Sequence, residues 1–206
     1  MTFKVYNKFT FIHQTSHEDK AVKTPNTSLS LSKQIAFSAL FAALCLIGTM
    51  VIPIPLPTGY FNVGDVFVLL AAWFLGPLYG SLAAGVGSAL ADLFMGYTLY
   101  APFTFIIKGL DALVAYLVWS FLKKFINKAN WDSVPRFLSA LVGETIMVLG
   151  YLLVETLFYG FPVAVTTLLG NTTQGGCCLL LATIIMGVFY RIKAIKRLFP
   201  HFEVNG

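Results

Sequence analysis

Long apolar runs, separated by short polar or proline-bearing stretches, recur at Gln34–Pro53, Val63–Gly76, Leu78–Met95, Thr104–Phe125, Phe137–Phe158 and Asn171–Tyr190. An α-helix needs about 20 apolar residues to cross roughly 30 Å of hydrocarbon. The pattern therefore predicts an all-α membrane protein of six transmembrane helices over residues 31–192. A polar, disordered tail is expected over 1–30 and a basic tail over 193–206. The second run is short: at about 1.5 Å per residue it reaches only about 21 Å. It must be sheltered by its neighbours or extended through Phe61 and Asn62. Composition agrees, since 57% hydrophobic and 11% charged residues exceed what a soluble surface accommodates.

The basic residues orient the chain. Lys4, Lys8, Lys20, Lys23 and Lys33 precede the first run, Lys123, Lys124, Lys128 and Arg136 flank the fourth connection, and Arg191, Lys193, Lys196 and Arg197 follow the sixth. The stretches near 54–62, 96–103 and 159–170 carry no Lys or Arg. Positive charge concentrates on the cytoplasmic side, so both termini are expected there. The net charge of +5 then reflects orientation and contact with the lipid bilayer, not nucleic-acid binding. The first thirty residues lack the apolar core of a secretory signal. Cys45, Cys177 and Cys178 have no metal-ligand spacing and lie in apolar runs, which suits packing. No catalytic triad, metal signature or phosphate-binding loop is visible, so neither an enzyme nor a cofactor is expected in this chain.

Apart from Lys123 and Lys124 at the very end of the fourth run, Lys108 is the one basic residue inside the apolar body, which it shares with Asp65, Asp92, Asp111, Glu144 and Glu155. Charge in hydrocarbon is costly and marks function by default. Placed by depth, Asp65, Asp92, Lys108, Asp111, Glu155, Asn171 and Gln174 fall in the outer half, with Asn171 and Gln174 opening the last helix beneath an external segment at 161–170. Glu144 lies slightly to the cytoplasmic side of centre. Two readings compete for these groups. Lys108 pairs with Asp92 or Asp111 as a structural ion pair, or it contacts a ligand. Glu155, Asn171 and Gln174 beside Tyr151 offer hydrogen bonds together with an aromatic face, which suits a small polar ring compound. The predicted site is a cup open to the exterior. Pro53, Pro55 and Pro57, followed by Gly59, Tyr60 and Phe61, make a stiff non-helical segment that is either a lid or a plain connector.

Two small-residue stripes occur at helical spacing: Gly80, Ala84, Gly87, Ser88 and Ala91 in the third run, and Ala36, Ala39, Ala42 and Ala43 in the first. Each permits close approach of another helix, from within the chain or from a partner.

Several of these segments together resemble the substrate-binding S component of energy-coupling factor (ECF) vitamin transporters. They are Tyr60-Phe61-Asn62-Val63-Gly64-Asp65, Leu75-Gly76-Pro77-Leu78-Tyr79-Gly80, Gly87-Ser88-Ala89-Leu90-Ala91-Asp92, Tyr100-Ala101-Pro102, Ile107-Lys108-Gly109, Gly150-Tyr151 with Glu155, and Gly170-Asn171 with Gln174-Gly175. The resemblance runs over about residues 34–192. It implies a six-helix bundle with an external vitamin site built from the first loop and the last three helices, with Tyr60, Asn62, Lys108, Tyr151, Glu155, Asn171 and Gln174 as substrate contacts. It also implies a membrane T component and two ATP-binding cassette subunits as partners, ATP being used by those subunits. Ala39 and Ala43 look like the motif that docks on the T component. The bacterial plasma membrane is the expected location. The motifs are most similar to the subgroup linked with riboflavin, pyridoxine or hydroxymethylpyrimidine. Two other functions compete with this one: an autonomous proton-coupled carrier using Glu144 and the outer acids, and an intramembrane enzyme or assembly factor.

Overall fold

The computed structural model describes residues 30–51, 53–55, 60–126 and 132–199. The expected tail over 1–30 lies almost wholly outside these. Five long helices dominate: α1 (Leu31–Val51), α2 (Gly64–Phe94), α3 (Ala101–Lys123), α4 (Ser133–Tyr159) and α5 (Phe161–Phe189). All five are long and apolar enough to cross a membrane. Between α1 and α2 runs a small antiparallel hairpin, β1 (Ile54–Pro55) and β2 (Tyr60–Phe61), with Ile54 opposite Phe61 and Pro55 opposite Tyr60. A short helix, α6 (Lys193–Leu198), follows α5.

α2 is continuous only in name. Gly76 has φ 81° and ψ −172°, which a residue with a Cβ rarely adopts, and Pro77 then restarts the helix. The chain folds back on itself here. A straight helix of 31 residues would hold its ends about 45 Å apart, yet a Cβ placed on Gly80 would lie 2.6 Å from the Ala71 carbonyl oxygen. The second and third apolar runs are thus two antiparallel halves, 64–75 and 77–94. The short first half is sheathed by its neighbours, with Asp65, Val66, Val68, Leu69, Leu70, Ala71, Ala72, Trp73 and Phe74 all buried.

α2 packs against α1, α3 and α5, while α3 meets α4 and α4 meets α5, which closes the bundle. Large apolar side chains such as Leu78, Phe94, Leu117, Leu157 and Leu169 face outward, as a lipid environment requires. The stripe of the third run is internal: Ala84 and Ala91 are fully buried, and Gly87 lies against Ala42 and Cys45 of α1. The stripe on α1 divides, with Ala42 packed inward and Ala36, Ala39 and Ala43 exposed.

Three expectations need correction. Residues 161–170 are helical, because Gly160 at φ 83° ends α4 in a tight turn and Pro162 starts α5 at once. Asn171 and Gln174 therefore sit three turns or so inside α5. The segment after residue 192 is not simply a tail: Phe199 is buried, with its ring 5.1 Å from Phe37 and 4.8 Å from Phe74. Lys108 is not the sole basic residue of the interior either. Arg136 is buried with its guanidinium 4.7 Å from the Trp119 ring and 5.4 Å from Trp73, and its Nε donates to Asp132 Oδ2 at 2.6 Å.

Candidate substrate site

One partly open cavity lies at the end of the bundle opposite Lys33, Lys123, Lys124, Arg136 and Arg191, and encloses about 500 Å³ including its mouth. The tight turn at Gly76 makes it possible, by bringing Asn62, just before α2, and Asp92, near its far end, into one wall. The start of α3 adds Tyr100, Thr104 and Lys108, the end of α4 adds Tyr151 and Glu155, and α5 adds Asn171 and Gln174. All seven residues expected to contact substrate line this space: Tyr60, Asn62, Lys108, Tyr151, Glu155, Asn171 and Gln174.

Its floor is a polar hub. The Lys108 ammonium pairs with Asp65 Oδ1, while Gln174 Nε2 donates to Asp65 Oδ2 at 2.6 Å. Gln174 Oε1 in turn accepts the Asn62 backbone N–H at 2.8 Å, and Asn62 Oδ1 accepts the Gly64 N–H at 2.8 Å. The buried carboxylate thus has a partner on each oxygen, and the hairpin is tied to α5. Replacing Gln174 with leucine leaves the Asn62 N–H and Asp65 Oδ2 unmatched, at about 1–3 kcal/mol each. A lower melting temperature and faster amide exchange at residues 60–63 are the expected readings.

The charge set anticipated among Asp92, Lys108 and Asp111 does not form. Asp65 takes the ammonium because the first turn of α2 is wedged between α3 and α5. Asp92 instead accepts the Tyr60 hydroxyl at 2.6 Å. Asp111 faces α4 at Gly143, where a Cβ would collide with its Oδ1. Both oxygens of Asp111 and of Glu144 lack a hydrogen-bond partner among the described residues.

Aromatic rings form the sides. Tyr60 and Tyr97 have centroids 5.0 Å apart, Tyr97 and Tyr100 6.3 Å apart, and the Lys108 ammonium lies 5.4 Å from the Tyr151 ring. The Tyr151 and Thr104 hydroxyls share a hydrogen bond of 3.0 Å, and Thr167 donates to Glu155 across the α4–α5 turn. Burial, and then the adjacent Asp92 carboxylate, hold the Tyr60 hydroxyl well above its ordinary pKa, so it remains a donor. Sequence reasoning missed Thr49, Ser88, Tyr97, Tyr100 and Thr104 as lining residues. Tyr97 and Tyr100 fall in an uncharged connection rich in tyrosine, a signal that was available.

A family model described as "ECF-type riboflavin transporter, S component" matches residues 30–191, the whole helical body from α1 to α5. The chain belongs to this family. A protein of Pyrococcus woesei, described as "Uncharacterized protein in gap 3'region", is 36% identical over 152 residues, which cover 74% of this chain and 93% of that one. The S component family is one of transporter substrate-binding subunits rather than enzymes, and its member here is a multi-pass protein of the cell membrane.

Proposed function

We propose that this S component captures a B vitamin or vitamin precursor from outside the cell and delivers it inward with ATP-hydrolysing partners. Both halves of α2 cross the membrane, giving six crossings with termini in the cytoplasm, and the cavity opens to the exterior. The observation that carries the reading is the convergence of four tyrosines with Asn62, Lys108, Glu155, Asn171 and Gln174 in one cavity, at the end away from the basic residues. Tyrosine faces with amide and carboxylate edges fit a planar ring bearing hydroxyl or amino groups. Riboflavin, which the family's description names, pyridoxine and hydroxymethylpyrimidine all have that character.

Coupling is assigned to a membrane T component and two ATP-binding cassette subunits, with Ala39 and Ala43 on the exposed face of α1 as the docking surface. ATP is used by those partners. Glu155→Gln or Asn171→Ala is expected to weaken vitamin binding by roughly 10-fold or more in a folded protein, as loss of a hydrogen bond in a desolvated site does. Ala39→Trp should preserve binding and abolish partner-dependent uptake. The purified wild-type protein is tested by mass spectrometry of copurified ligand and by titration with each vitamin. Failure to bind any of them would falsify the proposal.

A second reading, an autonomous proton-coupled carrier, draws on Asp111 and Glu144, whose carboxyl groups have no hydrogen-bond partner among the described residues and lie within electrostatic reach of the hub. Uptake driven by a pH gradient in vesicles free of ATPase would favour it.

A further inference from the structure

Two polar atoms in the cavity wall are left over by the protein's own hydrogen bonds. Asp92 Oδ2 and Ser88 Oγ are buried, line the cavity, and have no hydrogen-bond partner among the described residues. They lie four residues apart on the second half of α2, so they share a helix face. Asp92 is held in place from the other side: Tyr60 donates to its Oδ1 at 2.6 Å, and Tyr60 is itself braced against Tyr97. With Oδ1 fixed by Tyr60, and the Thr104 hydroxyl nearby but in no close hydrogen bond with Oδ2, this buried carboxylate keeps acceptor capacity for a donor that a ligand brings.

The charges around it restrict what that donor is. Lys108 is the one cation among the lining residues, and its ammonium is engaged by Asp65. Asp92 and Glu155 line the same space, and Asp111 and Glu144 lie beyond the hub. Whichever of these acids carry protons, none contributes positive charge. A ligand bringing a cationic or strongly polarised N–H group completes the site, whereas an anionic group meets repulsion with no free cation to receive it.

From this we infer that Asp92 and Ser88 form a ligand subsite for an amino substituent or protonated ring nitrogen, selecting unphosphorylated nitrogen heterocycles. The inference rests on the vitamin-site reading and narrows it. Asp92 and Ser88 grip the amino edge of the ring, the tyrosines cover its faces, and phosphate esters of the same ring are rejected.

The test uses the purified full-length protein and three probes: a hydroxymethyl aminopyrimidine, the matched pyrimidinone in which oxygen replaces the amino group, and the phosphate ester of the first. Wild type should bind the aminopyrimidine at least roughly 10-fold tighter than either counterpart, the scale of one charge-assisted hydrogen bond. Asp92→Asn, which still accepts from Tyr60, should erase the preference between amino and oxo rings. Ser88→Ala, a smaller change, should reduce it and covers the case in which the first variant does not fold. Equal binding of amino and oxo rings by wild type, or tight binding of the phosphate ester, overturns the subsite while leaving the vitamin reading intact. Binding of riboflavin with no effect of either variant does the same. If neither these rings nor any B vitamin binds, the vitamin reading itself falls and takes the subsite with it.

Discussion

Asp65→Ala is expected to cost about 3–5 kcal/mol, the range found when one partner of a buried ion pair is removed, and to abolish ligand binding. The loss is large because the carboxylate serves two helices at once. Lys108 from α3 pairs with one oxygen and Gln174 from α5 donates to the other at 2.6 Å, so alanine strands a buried ammonium and a buried amide. Gln174 then loses its orientation, and with it the bond that fastens Asn62 and the hairpin. Thermal unfolding of the detergent-purified protein measures the first effect and vitamin titration the second. Removing both charges, Asp65→Leu with Lys108→Met, should recover most of the melting temperature without restoring binding. An Asp65→Ala protein that melts like wild type would show that the pair supports nothing.

Gly80→Leu is expected to prevent assembly of the cavity. A Cβ at this position meets the Ala71 carbonyl oxygen at 2.6 Å and the Ala72 Cα at 2.9 Å, which are backbone atoms that cannot rotate aside. Overpacking against side chains costs typically about 1–3 kcal/mol, and a backbone obstacle places this variant at or above that range. Forcing the halves of α2 apart also separates Asn62 from Asp92, so binding should disappear with the fold. Gly187→Leu is the control, since nothing lies within 4 Å of a Cβ there. Size-exclusion profiles and vitamin titration distinguish the two, and a monodisperse Gly80→Leu protein with intact binding would sink the prediction.

The apolar runs were legible because lipid imposes a simple rule on long segments, and Gly76-Pro77 marked the break between two of them. Boundaries failed where a tight turn replaced a loop. Residues 161–170 hold two threonines and two glycyl-flanked ends, a loop-like composition, yet α5 begins at Phe161 because Gly160 makes the reversal in one residue. Most of the expected residues that line the cavity stood out as polar groups in apolar runs, while Tyr60 and Asn62 stood in the loop before the second run. The charge pairing was not legible, since choosing Asp65 over Asp92 or Asp111 for Lys108 depends on which helix faces α3, and spacing along the chain does not encode that. Arg136 shows the same limit: grouped with Lys123, Lys124 and Lys128 it looked like an interfacial flank, whereas Trp73 and Trp119, both distant in sequence, enclose it.

The hub also has a consequence for how the protein is made. Asn62 and Asp65 find their partner in Gln174, more than a hundred residues downstream. During synthesis the early helices must enter the bilayer carrying a carboxylate and a backbone donor whose partner has not yet left the ribosome. Until α5 arrives, those groups depend on water, on Lys108 or on the insertion machinery. α5 therefore works as a keystone, and variants that delay its insertion should expose an early segment to quality-control proteolysis even though that segment is unaltered.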